Sequence, residues 1–529
     1  MAQDEVLTNP TPAEPAPREP KTRFGKWLDR YFRISSSGSS IGRELVGGLV
    51  TFLAMFYILP LNSNILIGFN RGAQFLVYGD VYMSGADLYA AIFMATAISA
   101  CVTTLAMGFL GHLPVGLASG LGINSMIAGY LIIQLQGMDP SGVFNFAQAM
   151  CLVLVDGILF LVISLTPLRQ FVVRSIPKSL KLAISAGIGF FIAFIGLHNM
   201  GIIDFNGVAG VPGIQSIAIG NFRDPEVWLG LVGIGLVFGL SALPKDNKIT
   251  RWVSRFSVII AMVIMGIVCA ICAEAGVESN IGFTGFYDST YSYSNLGQFG
   301  NVFGLGLIRG WDVFAKPEAY AVVFSLLFID FFDTTGTLVG VEAGAGMINE
   351  DGSLAVDDRN AMVVDAAGTV FGAVCGTTTV TSFVESTSGV AAGARTGLAS
   401  VLTGALFGLA ILIFPVLSMF STPAVTGLAL VFVGVCMFTN LAKIDWNNWV
   451  FVGAGFITTL VMCVSYSIAD GIAAGFLTYT VMKLCSGKWQ LRAKDNEPSD
   501  LPVAIVAVLF IVLAIVLYAT RIKWPGSAL

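Results

Sequence analysis

Apolar stretches separated by short polar loops make up most of this 529-residue chain. Each stretch is about 20 residues long, the length that an α-helix needs to cross a bilayer. Their apolar residues are continuous rather than alternating, which excludes a lipid-facing β-barrel. In the first half, spans are expected at approximately 44–66, 88–110, 120–135, 144–165, 179–200, 226–243 and 252–275. In the second half, they are expected at approximately 319–341, 360–375, 380–392, 398–419, 423–438, 449–466 and 469–485. The pattern predicts an all-α polytopic membrane protein with about 14 transmembrane spans.

The third span of each half is short and rich in Gly, Ser or Thr. Interrupted spans at corresponding positions of two halves indicate discontinuous helices in two structural repeats. Because each half has an odd number of spans, the second half is inverted relative to the first. We therefore predict short strands and half-helices in spans 3 and 10, and we expect the two halves to meet around these breaks.

The pattern divides the chain into six segments. They are a disordered, proline-rich tail (1–20), an amphipathic interfacial segment (21–43), a first inverted repeat (44–275), an extracellular or periplasmic loop (276–318), a second inverted repeat (319–485), and a cytoplasmic linker with a C-terminal hydrophobic segment (486–529). In the second segment, aromatic residues recur at helical spacing between cations, which is typical of a helix on the inner membrane surface. A short packed helix fits the same pattern. We interpret the final apolar run, Pro502 to Thr520, as a fifteenth span or a re-entrant segment.

The composition agrees with a membrane protein and excludes other classes of protein. Apolar side chains make up 55% of the chain and charged ones 12%, whereas about a quarter of a soluble chain is charged. There is no basic domain large enough to bind nucleic acid. The eight cysteines lie almost entirely in apolar runs, and two histidines are too few for a histidine-built metal site. Loop cations place the amino terminus in the cytoplasm of a multi-pass protein of the cell (plasma or inner) membrane.

Ionisable residues inside apolar spans are the most informative positions, because each costs several kcal/mol there unless it faces a cavity or a partner. Asp330 and Asp333 lie three residues apart, hence on one face of a helix, and Thr334, Thr335 and Thr337 follow them. This pattern predicts an acidic, hydroxyl-rich helix face within the membrane.

Glu385 lies in a run of Thr, Ser and Gly residues, directly after the extended β-branched stretch 377–381. The pattern predicts a strand that breaks into a half-helix, with Thr381 and Ser386 as further candidate contacts beside Glu385. Arg395 follows the half-helix and is interpreted as a cytoplasmic anchor or a distant counter-charge.

The corresponding segment of the first half has Gly120, Gly122 and Asn124 where a helix would begin inside the membrane. A helix that starts at mid-depth offers free N–H groups and the positive end of its dipole. Asn124 could contact a solute there or simply cap the broken helix.

Combined, these segments predict a polar pocket with carboxylates, an amide, hydroxyl groups and backbone donors, enclosed by apolar helices. Such a pocket suits a flat, neutral, hydrogen-bonding solute such as a nucleobase, because one carboxylate can accept from two ring N–H groups. An inorganic anion would instead need a cation in place of Glu385. A carboxyl group in a weakly polar cavity favours its neutral form, so it can bind a proton with the solute and release both inside.

Other acidic residues have structural explanations. Asp333 could bind solute, relay protons or bond to its neighbouring threonines. Asp156, Asp365 and Asp470 also lie in apolar runs, beside Gly or Ala and without a polar cluster. For these three we predict interhelical hydrogen bonds.

Four segments occur in a familiar order and spacing: GLGINSMIAGY, DFFDTTGTLVGVEAGAGMINEDGSL, GTTTVTSFVESTSGVAAGARTGL and YSIADGIAAGF. From about Gly42 to Cys485 the chain resembles the AzgA-like purine permeases of the nucleobase-cation symporter-2, or nucleobase-ascorbate transporter, superfamily. The resemblance implies a 7+7 inverted repeat in which a core domain with the broken helices moves against a gate domain in an elevator-like cycle. It also implies proton-coupled uptake of adenine, guanine or hypoxanthine.

The family's purine-binding pattern falls on Asn124, Asp330 and Glu385, with Gly122 near the ring and Asp333 in support. The resulting expectation is substrate contact by Glu385, Asp330, Asn124, Gly122, Thr381 and Ser386, and proton coupling through Glu385, Asp330 and Asp333. No cofactor besides the coupling proton and no metal is expected. The expected partners are a purine nucleobase and the lipid bilayer, with a homodimer left open.

The same residues leave other functions to be considered. The same fold could carry another nucleobase, such as uracil or xanthine, or a small anion. An intramembrane aspartyl protease needs a Gly-x-Gly-Asp segment, but here Gly120-Leu121-Gly122 is followed by Ile123, so we do not expect an enzyme. A channel is disfavoured because broken-helix repeats suit alternating access.

Overall fold

The computed structural model describes residues 22–68, 70–134, 142–166, 177–204, 218–244, 246–277, 292–344, 359–418, 420, 422–465, 467–487, 489–490 and 499–519. The predicted tail (1–20), the loop cations Arg169 and Arg174, part of the central loop (278–291) and the AGMINEDGSL portion of the second motif, which follows Gly344, lie outside the described residues.

Helices make up most of the described chain. Before the central loop they are α1 (Arg23–Phe32), α2 (Ile41–Met55), α3 (Ile58–Leu66), α4 (Gly85–Ala106), α5 (Leu121–Tyr130), α6 (Phe146–Leu165), α7 (Lys178–Asn199), α8 (Pro225–Ser241), α9 (Lys248–Arg255) and α10 (Ser257–Glu274). The loop holds α11 (Leu305–Arg309). After it come α12 (Glu318–Gly344), α13 (Arg359–Cys375), α14 (Ser386–Ala391), α15 (Gly397–Ala410), α16 (Phe414–Ser418), α17 (Pro423–Phe438), α18 (Trp449–Val464), α19 (Ile468–Cys485) and α20 (Leu501–Ala519).

Short strands connect some of these helices. They are β1 (Gln74–Tyr78), β2 (Val81–Ser84), β3 (Leu117–Ser119), β4 (Ile133–Gln134), β5 (Ile203–Asp204), β6 (Ala218–Ile219) and β7 (Val380–Ser382). β1 pairs with β2 and β4, and β5 pairs with β6. β3 and β7 come from opposite halves and pair antiparallel in the register Leu117 to Ser382, Ala118 to Thr381 and Ser119 to Val380. This pair confirms the prediction that the two halves meet around their breaks.

The described residues include helical segments that are long and apolar enough to cross a membrane. They are Ile41–Leu66, Gly85–Gly111, Phe146–Leu165, Ser179–Asn199, Ser257–Glu274, Gly397–Val416 and Ile468–Cys485. Shorter apolar helices lie at Pro225–Ser241, Pro423–Phe438 and Trp449–Val464. The expected spans thus correspond to helices or half-helices, and the protein crosses the membrane several times. The count of 14 crossings stays a prediction.

The first long segment is interrupted between α2 and α3. Pro60 has no N–H group, so it cannot bind the carbonyl of Phe56 as a continuous helix would require. That carbonyl instead accepts from the backbone N–H of Leu59 at 3.3 Å. The break leaves Tyr57 between the two helices, with its side chain completely buried.

The helices pack in two groups. The core group consists of α2 to α6 and α13 to α15, and the gate group consists of α7, α8, α10 and α17 to α19. Glycine allows close helix crossings in both, since a Cβ atom on Gly397 would lie 2.1 Å from the Gly108 carbonyl oxygen, and one on Gly434 would lie 2.4 Å from that of Gly189. α12 packs on α6 of the core group and on α7 of the gate group, so it lies between them.

Both ends of the described chain form helices. In α1 the side chains of Phe24, Trp27 and Tyr31 are exposed, as a helix on a membrane surface requires; its contact with the membrane stays a prediction. α20 is a continuous helix of 19 residues, without the reversal of direction that a re-entrant segment needs. Phe510 of α20 packs against Phe324 and Phe328 of α12, with ring centroids 5.3 and 5.2 Å apart. This arrangement favours the fifteenth-span interpretation.

Candidate functional site

The pairing of β3 with β7 positions two half-helices. Beyond the paired residues, the N–H of Gly120 donates to the carbonyl of Thr379 at 2.9 Å, and the N–H of Phe383 donates to the carbonyl of Gly116 at 3.0 Å. α5 begins directly after β3, and α14 begins four residues after β7. The predicted change from a β-branched strand to a half-helix is therefore confirmed, and so is its counterpart in the first half.

A small cavity lies where the half-helices meet α12 and the gate group. We call it the half-helix cavity; its volume is about 30 Å³. Its lining includes the backbone of Gly120 and Gly122, the polar side chains Asp333, Thr337, Thr381 and Glu385, and the apolar side chains Ile188, Ile192, Val433, Met437 and Ile468. A space of this size holds about two water molecules, so a larger solute requires the gate and core groups to separate.

A second and larger cavity lies on the other side of Glu385. We call it the apolar cavity; its volume is about 160 Å³, and Val50, Phe256, Phe432, Cys436 and Glu385 are among the residues that line it. An apolar cavity of about 150 Å³ is large enough to bind benzene. Since Glu385 also lines the half-helix cavity, this residue lies at the junction of a polar space and a space that fits an aromatic ring.

The hydroxyl of Tyr57 holds the Glu385 carboxyl group. Tyr57 Oη donates to Glu385 Oε1 at 2.5 Å, and Glu385 is the residue that immediately precedes α14. Glu385 is 9% exposed, whereas Tyr57 is fully buried. The break between α2 and α3 thus supplies a donor that orients the acid, while Glu385 still lines both cavities.

Two threonine hydroxyls lie beside the backbone of Gly120. Among the described residues, the hydroxyl oxygens of Thr379 and Thr381 are buried without a hydrogen-bond partner within 3.5 Å, and a Cβ atom on Gly120 would lie 3.3 and 3.4 Å from them. Of the two, Thr381 lines the half-helix cavity, where Asp333 is the polar side chain next to it. At Gly122, an added Cβ atom would lie 2.3 Å from Cδ1 of Ile468. Glycine at these positions lets the backbone of α5 approach the cavity.

Asn124 belongs to a buried hydrogen-bond network rather than to the lining of either cavity, as far as the structure describes it. Its amide Nδ2 donates to Asn62 Oδ1 at 2.5 Å, and its Oδ1 accepts from the hydroxyls of Ser119 (3.3 Å) and Thr378. Asn62 in turn donates to Thr377 Oγ1 at 2.9 Å and to a threonine of α4. Because Gly120 is the residue that caps the start of α5, Asn124 does not cap this helix; it joins α5 to α3, to β3 and to the segment before β7.

The predicted acidic face of α12 splits into two environments. Asp333 lines the half-helix cavity. Asp330 is fully buried and does not line either cavity among the described residues; its Oδ2 accepts from Thr369 Oγ1 at 3.1 Å. The structure therefore brings Asp333, Thr381, Gly122 and Glu385 together and places Asp330 behind them.

The remaining candidates have structural contacts. Ser386 Oγ accepts from the backbone N–H of Gly116 at 3.0 Å and so ties α14 to the segment before β3. Arg395 donates from Nη1 to the carbonyls of Val390 and Ala394 at 2.7 and 2.6 Å, which caps the end of α14.

The predicted interhelical hydrogen bonds have different outcomes. Asp365 accepts from Thr334 and Ser382, each at 2.6 Å, as predicted. The same prediction is wrong for Asp156, because neither of its buried carboxyl oxygens has a hydrogen-bond partner among the described residues. A helical sequence pattern does not fix the rotation of α6, and this rotation decides which neighbours an aspartate meets.

Sequence reasoning missed Tyr57 and Asn62. A proline three residues after Tyr57 was the available signal for a break in the first span, since proline removes a backbone donor. The partners themselves are 328 residues apart for Tyr57 and Glu385 and 62 residues apart for Asn62 and Asn124. No local pattern specifies such pairs.

Comparison with known proteins gives a consistent result along almost the whole chain. A family model described as "Permease family" (Xan_ur_permease) matches residues 42–477. The guanine/hypoxanthine permease PbuG of Bacillus subtilis (strain 168) is 33% identical over 485 residues, which cover 92% of this chain and 99% of the relative. The adenine permease AdeQ of Escherichia coli (strain K12) is 32% identical over 483 residues, which cover 91% and 95%.

Solved structures share the fold at low sequence identity. The transmembrane domain of a cyanobacterium bicarbonate transporter, BicA, has a TM-score of 0.51 at 14% identity and covers 81% of this chain and 97% of its own. The overall structure of SLC26A9 has a TM-score of 0.52 at 13% identity and covers 89% and 69%. These similarities concern the fold alone, and they confirm the predicted inverted-repeat membrane architecture.

Proposed function

Because this chain belongs to the permease family, we propose that it is a secondary transporter that takes up the purine nucleobases adenine, guanine and hypoxanthine. Its membership of that family confirms the predicted class of membrane transporter rather than enzyme. The choice of purines is supported by the printed names of its relatives, which are guanine/hypoxanthine and adenine permeases.

The observation that carries the proposal is the position of Glu385 at the junction of the two cavities. A purine is a flat ring with N–H donors and nitrogen acceptors along its edge. Its face can lie in the apolar cavity, while its edge donates to Glu385. A carboxylate that accepts hydrogen bonds forms stronger ones than a neutral acceptor does, so Glu385 favours a ring that presents N–H groups.

The lining of the half-helix cavity supports selection along the edge of the ring. Thr381 carries a buried hydroxyl without a hydrogen-bond partner among the described residues, and Gly122 leaves room for close approach of the backbone. We assign direct contact to Glu385, Thr381 and Gly122, with Asp333 facing the same space. We assign Asn124 and Ser386 to the scaffold that holds the half-helices, because their side chains are hydrogen-bonded within it.

We further propose proton-coupled symport by an elevator-like motion. The half-helices belong to the core group, and Ile188, Ile192 and Val433 of the gate group close the half-helix cavity on its other side. Sliding of the core group against the gate group would carry Glu385 and its solute across the membrane. The carboxyl groups of Glu385, Asp330 and Asp333 are the candidates for proton binding, and the amino terminus is assigned to the cytoplasm.

Thermal unfolding of the purified protein in the presence of different solutes tests this function, since a solute that binds only the folded state raises its melting temperature. The panel contains adenine, guanine, hypoxanthine, xanthine, uracil, bicarbonate and sulfate. We expect stabilisation by one or more of the first three, and its loss in Glu385→Gln. Stabilisation by uracil, xanthine or an anion, without any effect of these purines, would contradict the proposed substrate class.

A further inference from the structure

Asp156 is an unusual residue of the core group, because its carboxyl group is buried without compensation. Its side chain on α6 is fully buried. Neither Oδ1 nor Oδ2 has a hydrogen-bond partner among the described residues. An ionised carboxylate in this environment loses its hydration and gains nothing in return, which is strongly unfavourable.

The packing of α6 places Asp156 beside Asp330. Next to it, Gly157 allows backbone contact with α13, since an added Cβ atom would lie 2.8 Å from the backbone nitrogen of Val370. One turn along α6, the ring of Phe160 meets that of Phe331 of α12 with centroids 6.2 Å apart. The same Cβ atom on Gly157 would lie 2.9 Å from the side chain of Thr369, whose hydroxyl donates to Asp330.

The carboxyl group of Asp330 is itself poorly satisfied. Its Oδ1 is buried without a hydrogen-bond partner in the described part of the chain. Its Oδ2 shares the hydroxyl of Thr369, at 3.1 Å, with the backbone carbonyl of Val380, at 3.3 Å. A hydroxyl has one hydrogen to donate, so even this bond is divided between two acceptors.

Asp365 shows that an aspartate in the same region can be fully paired. It is also completely buried, but each of its oxygens accepts a hydroxyl hydrogen at 2.6 Å, from Thr334 and Ser382. Burial alone therefore does not explain why the oxygens of Asp156 and Asp330 are unpaired. Among the described residues, three oxygens of the two neighbouring acids have no hydrogen-bond donor: Oδ1 and Oδ2 of Asp156 and Oδ1 of Asp330. Such oxygens indicate a shared ligand that supplies a hydrogen.

We propose that Asp156 and Asp330 hold one exchangeable proton between them, in a site separate from both solute cavities. Two neighbouring carboxylates in a weakly polar interior cannot both be charged, and a proton on either one relieves the repulsion and provides a donor. The pair titrates as a unit, so the proton belongs to the pair and not to one residue.

The other charged groups around the pair are acidic. Asp333 on α12 and Asp365 on α13 face Asp330, and Glu385 faces Asp333. Neither Asp156 nor Asp330 has an ion-pair partner in the part of the chain that the structure describes. These negative surroundings favour retention of the proton by the pair. A change in charge at Glu385 on purine binding would alter the proton affinity of the pair through Asp333, which lies between them.

The proposed proton site rests on the proposed transport function. Its test therefore measures two activities of the same reconstituted protein, purine exchange and pH-driven purine accumulation. In proteoliposomes, exchange of radiolabelled hypoxanthine needs solute binding, whereas accumulation driven by a pH gradient also needs a coupled proton. We expect Asp156→Asn to retain exchange and to reduce accumulation by about tenfold or more. Asp156→Glu, which keeps an acid, should retain accumulation with a displaced pH dependence.

Several outcomes would overturn the site. One is pH-driven accumulation by Asp156→Asn at the wild-type level and pH dependence. A second is accumulation driven by a sodium gradient and not by pH, which would make sodium the coupling ion. A third is loss of exchange in a folded Asp156→Asn, which would place this residue in solute binding. If the wild-type protein exchanges no purine, the result contradicts the proposed transport function itself and not only the proton site.

Infrared spectroscopy tests the site without any purine, because the carbonyl stretch of a protonated carboxyl group is separate from the bands of an ionised carboxylate. At neutral pH we expect the wild-type protein to show a protonated band that is lost or displaced in Asp156→Asn. Glu44→Gln is the control; it removes a buried carboxyl group that accepts from the backbone N–H groups of Arg395 and Thr396 and is not among the acids that face Asp330, so it should leave the band in place. An identical band in the wild type and Asp156→Asn would overturn the proposal.

Discussion

The two sides of the β3–β7 pair differ in how their buried polar groups are satisfied. On the first side, Asn124 joins Asn62, Ser119 and Thr378 in a network that uses both its oxygen and its nitrogen. On the second side, the part of the chain that the structure describes gives the Thr381 hydroxyl no hydrogen-bond partner, and Glu385 accepts from Tyr57 beside two cavities.

The difference separates scaffold from binding surface. A buried polar group without a hydrogen-bond partner lowers the stability of the folded protein by about 1–3 kcal/mol. Such a group is therefore expected where a ligand supplies the missing hydrogen bond during function. The same criterion distinguishes Asp365, whose oxygens are both paired, from Asp156, whose oxygens are both unpaired. Substitutions on the paired side should reduce stability, and those on the unpaired side should reduce transport.

The largest effect is expected for Glu385→Gln, which we expect to abolish purine uptake. The amide cannot replace the charged acceptor, and each hydrogen bond to a charged group contributes about 1.5–3 kcal/mol. The affinity should therefore fall by roughly 100-fold. Uptake of radiolabelled hypoxanthine by cells without their own purine uptake, normalised to folded protein in the membrane, measures it.

Glu44→Gln is a matched control for this variant. Glu44 is also a buried acid, but its oxygens accept from the backbone N–H groups of Arg395 and Thr396 at 2.9 and 3.2 Å, and it lines neither cavity among the described residues. It should lower stability and retain uptake per folded molecule. Normal uptake by Glu385→Gln would contradict the assignment of the site.

Asn124→Ala should chiefly reduce stability. It leaves Asn62 Oδ1 and two hydroxyls without their partner, at a cost of about 3 kcal/mol in the free energy of unfolding. The melting temperature and the purine affinity of the purified variant give both quantities. A strong loss of affinity at an unchanged melting temperature would instead place Asn124 in contact with the solute.

Tyr57→Phe should weaken purine binding by roughly tenfold, because it removes a hydrogen bond of about 1.5 kcal/mol that orients Glu385. Tyr479→Phe makes the same change elsewhere; Tyr479 is buried and donates to Asp500 at 2.5 Å, outside both cavities. This control should keep its affinity. Equal affinities of Tyr57→Phe and the wild type, by equilibrium binding, would show that Tyr57 does not position the acid.

Gly122→Ala is expected to have the smallest effect. The added methyl group meets only the flexible end of Ile468, so a shift into the cavity should cost about 1 kcal/mol, or roughly fivefold in affinity. Ile468→Val removes that end and should restore binding in the double variant. A double variant that binds no better than Gly122→Ala would contradict this explanation.

The sequence predicts the fold more completely than it predicts the side-chain contacts at the site. Apolar runs of membrane length, together with two short interrupted spans, were sufficient for an inverted repeat with half-helices, because bilayer thickness and backbone hydrogen bonding restrict the choices. The Thr-rich strand before Glu385 followed from local β-branched composition. Asp333 and Glu385 do share a cavity, as expected for acids in adjacent motifs.

The contacts that refine the site depend on helix rotation and on long-range packing. Asp330 and Asp333 share one helix face, yet only Asp333 lines the half-helix cavity among the described residues. Asp156 and Asp365 have similar local sequences but opposite hydrogen-bonding outcomes. Tyr57 gains its role from a break at Pro60 and a partner in the other repeat, which periodicity does not specify.

Proton-coupled purine transport is tested most simply by uptake into proteoliposomes that contain the purified wild-type protein alone, under an imposed inward pH gradient. We expect accumulation of radiolabelled hypoxanthine, adenine or guanine, competition by unlabelled purine but not by uracil or sulfate, and loss of accumulation when the gradient is collapsed. Accumulation of uracil or an anion, with none of these three purines, would contradict it.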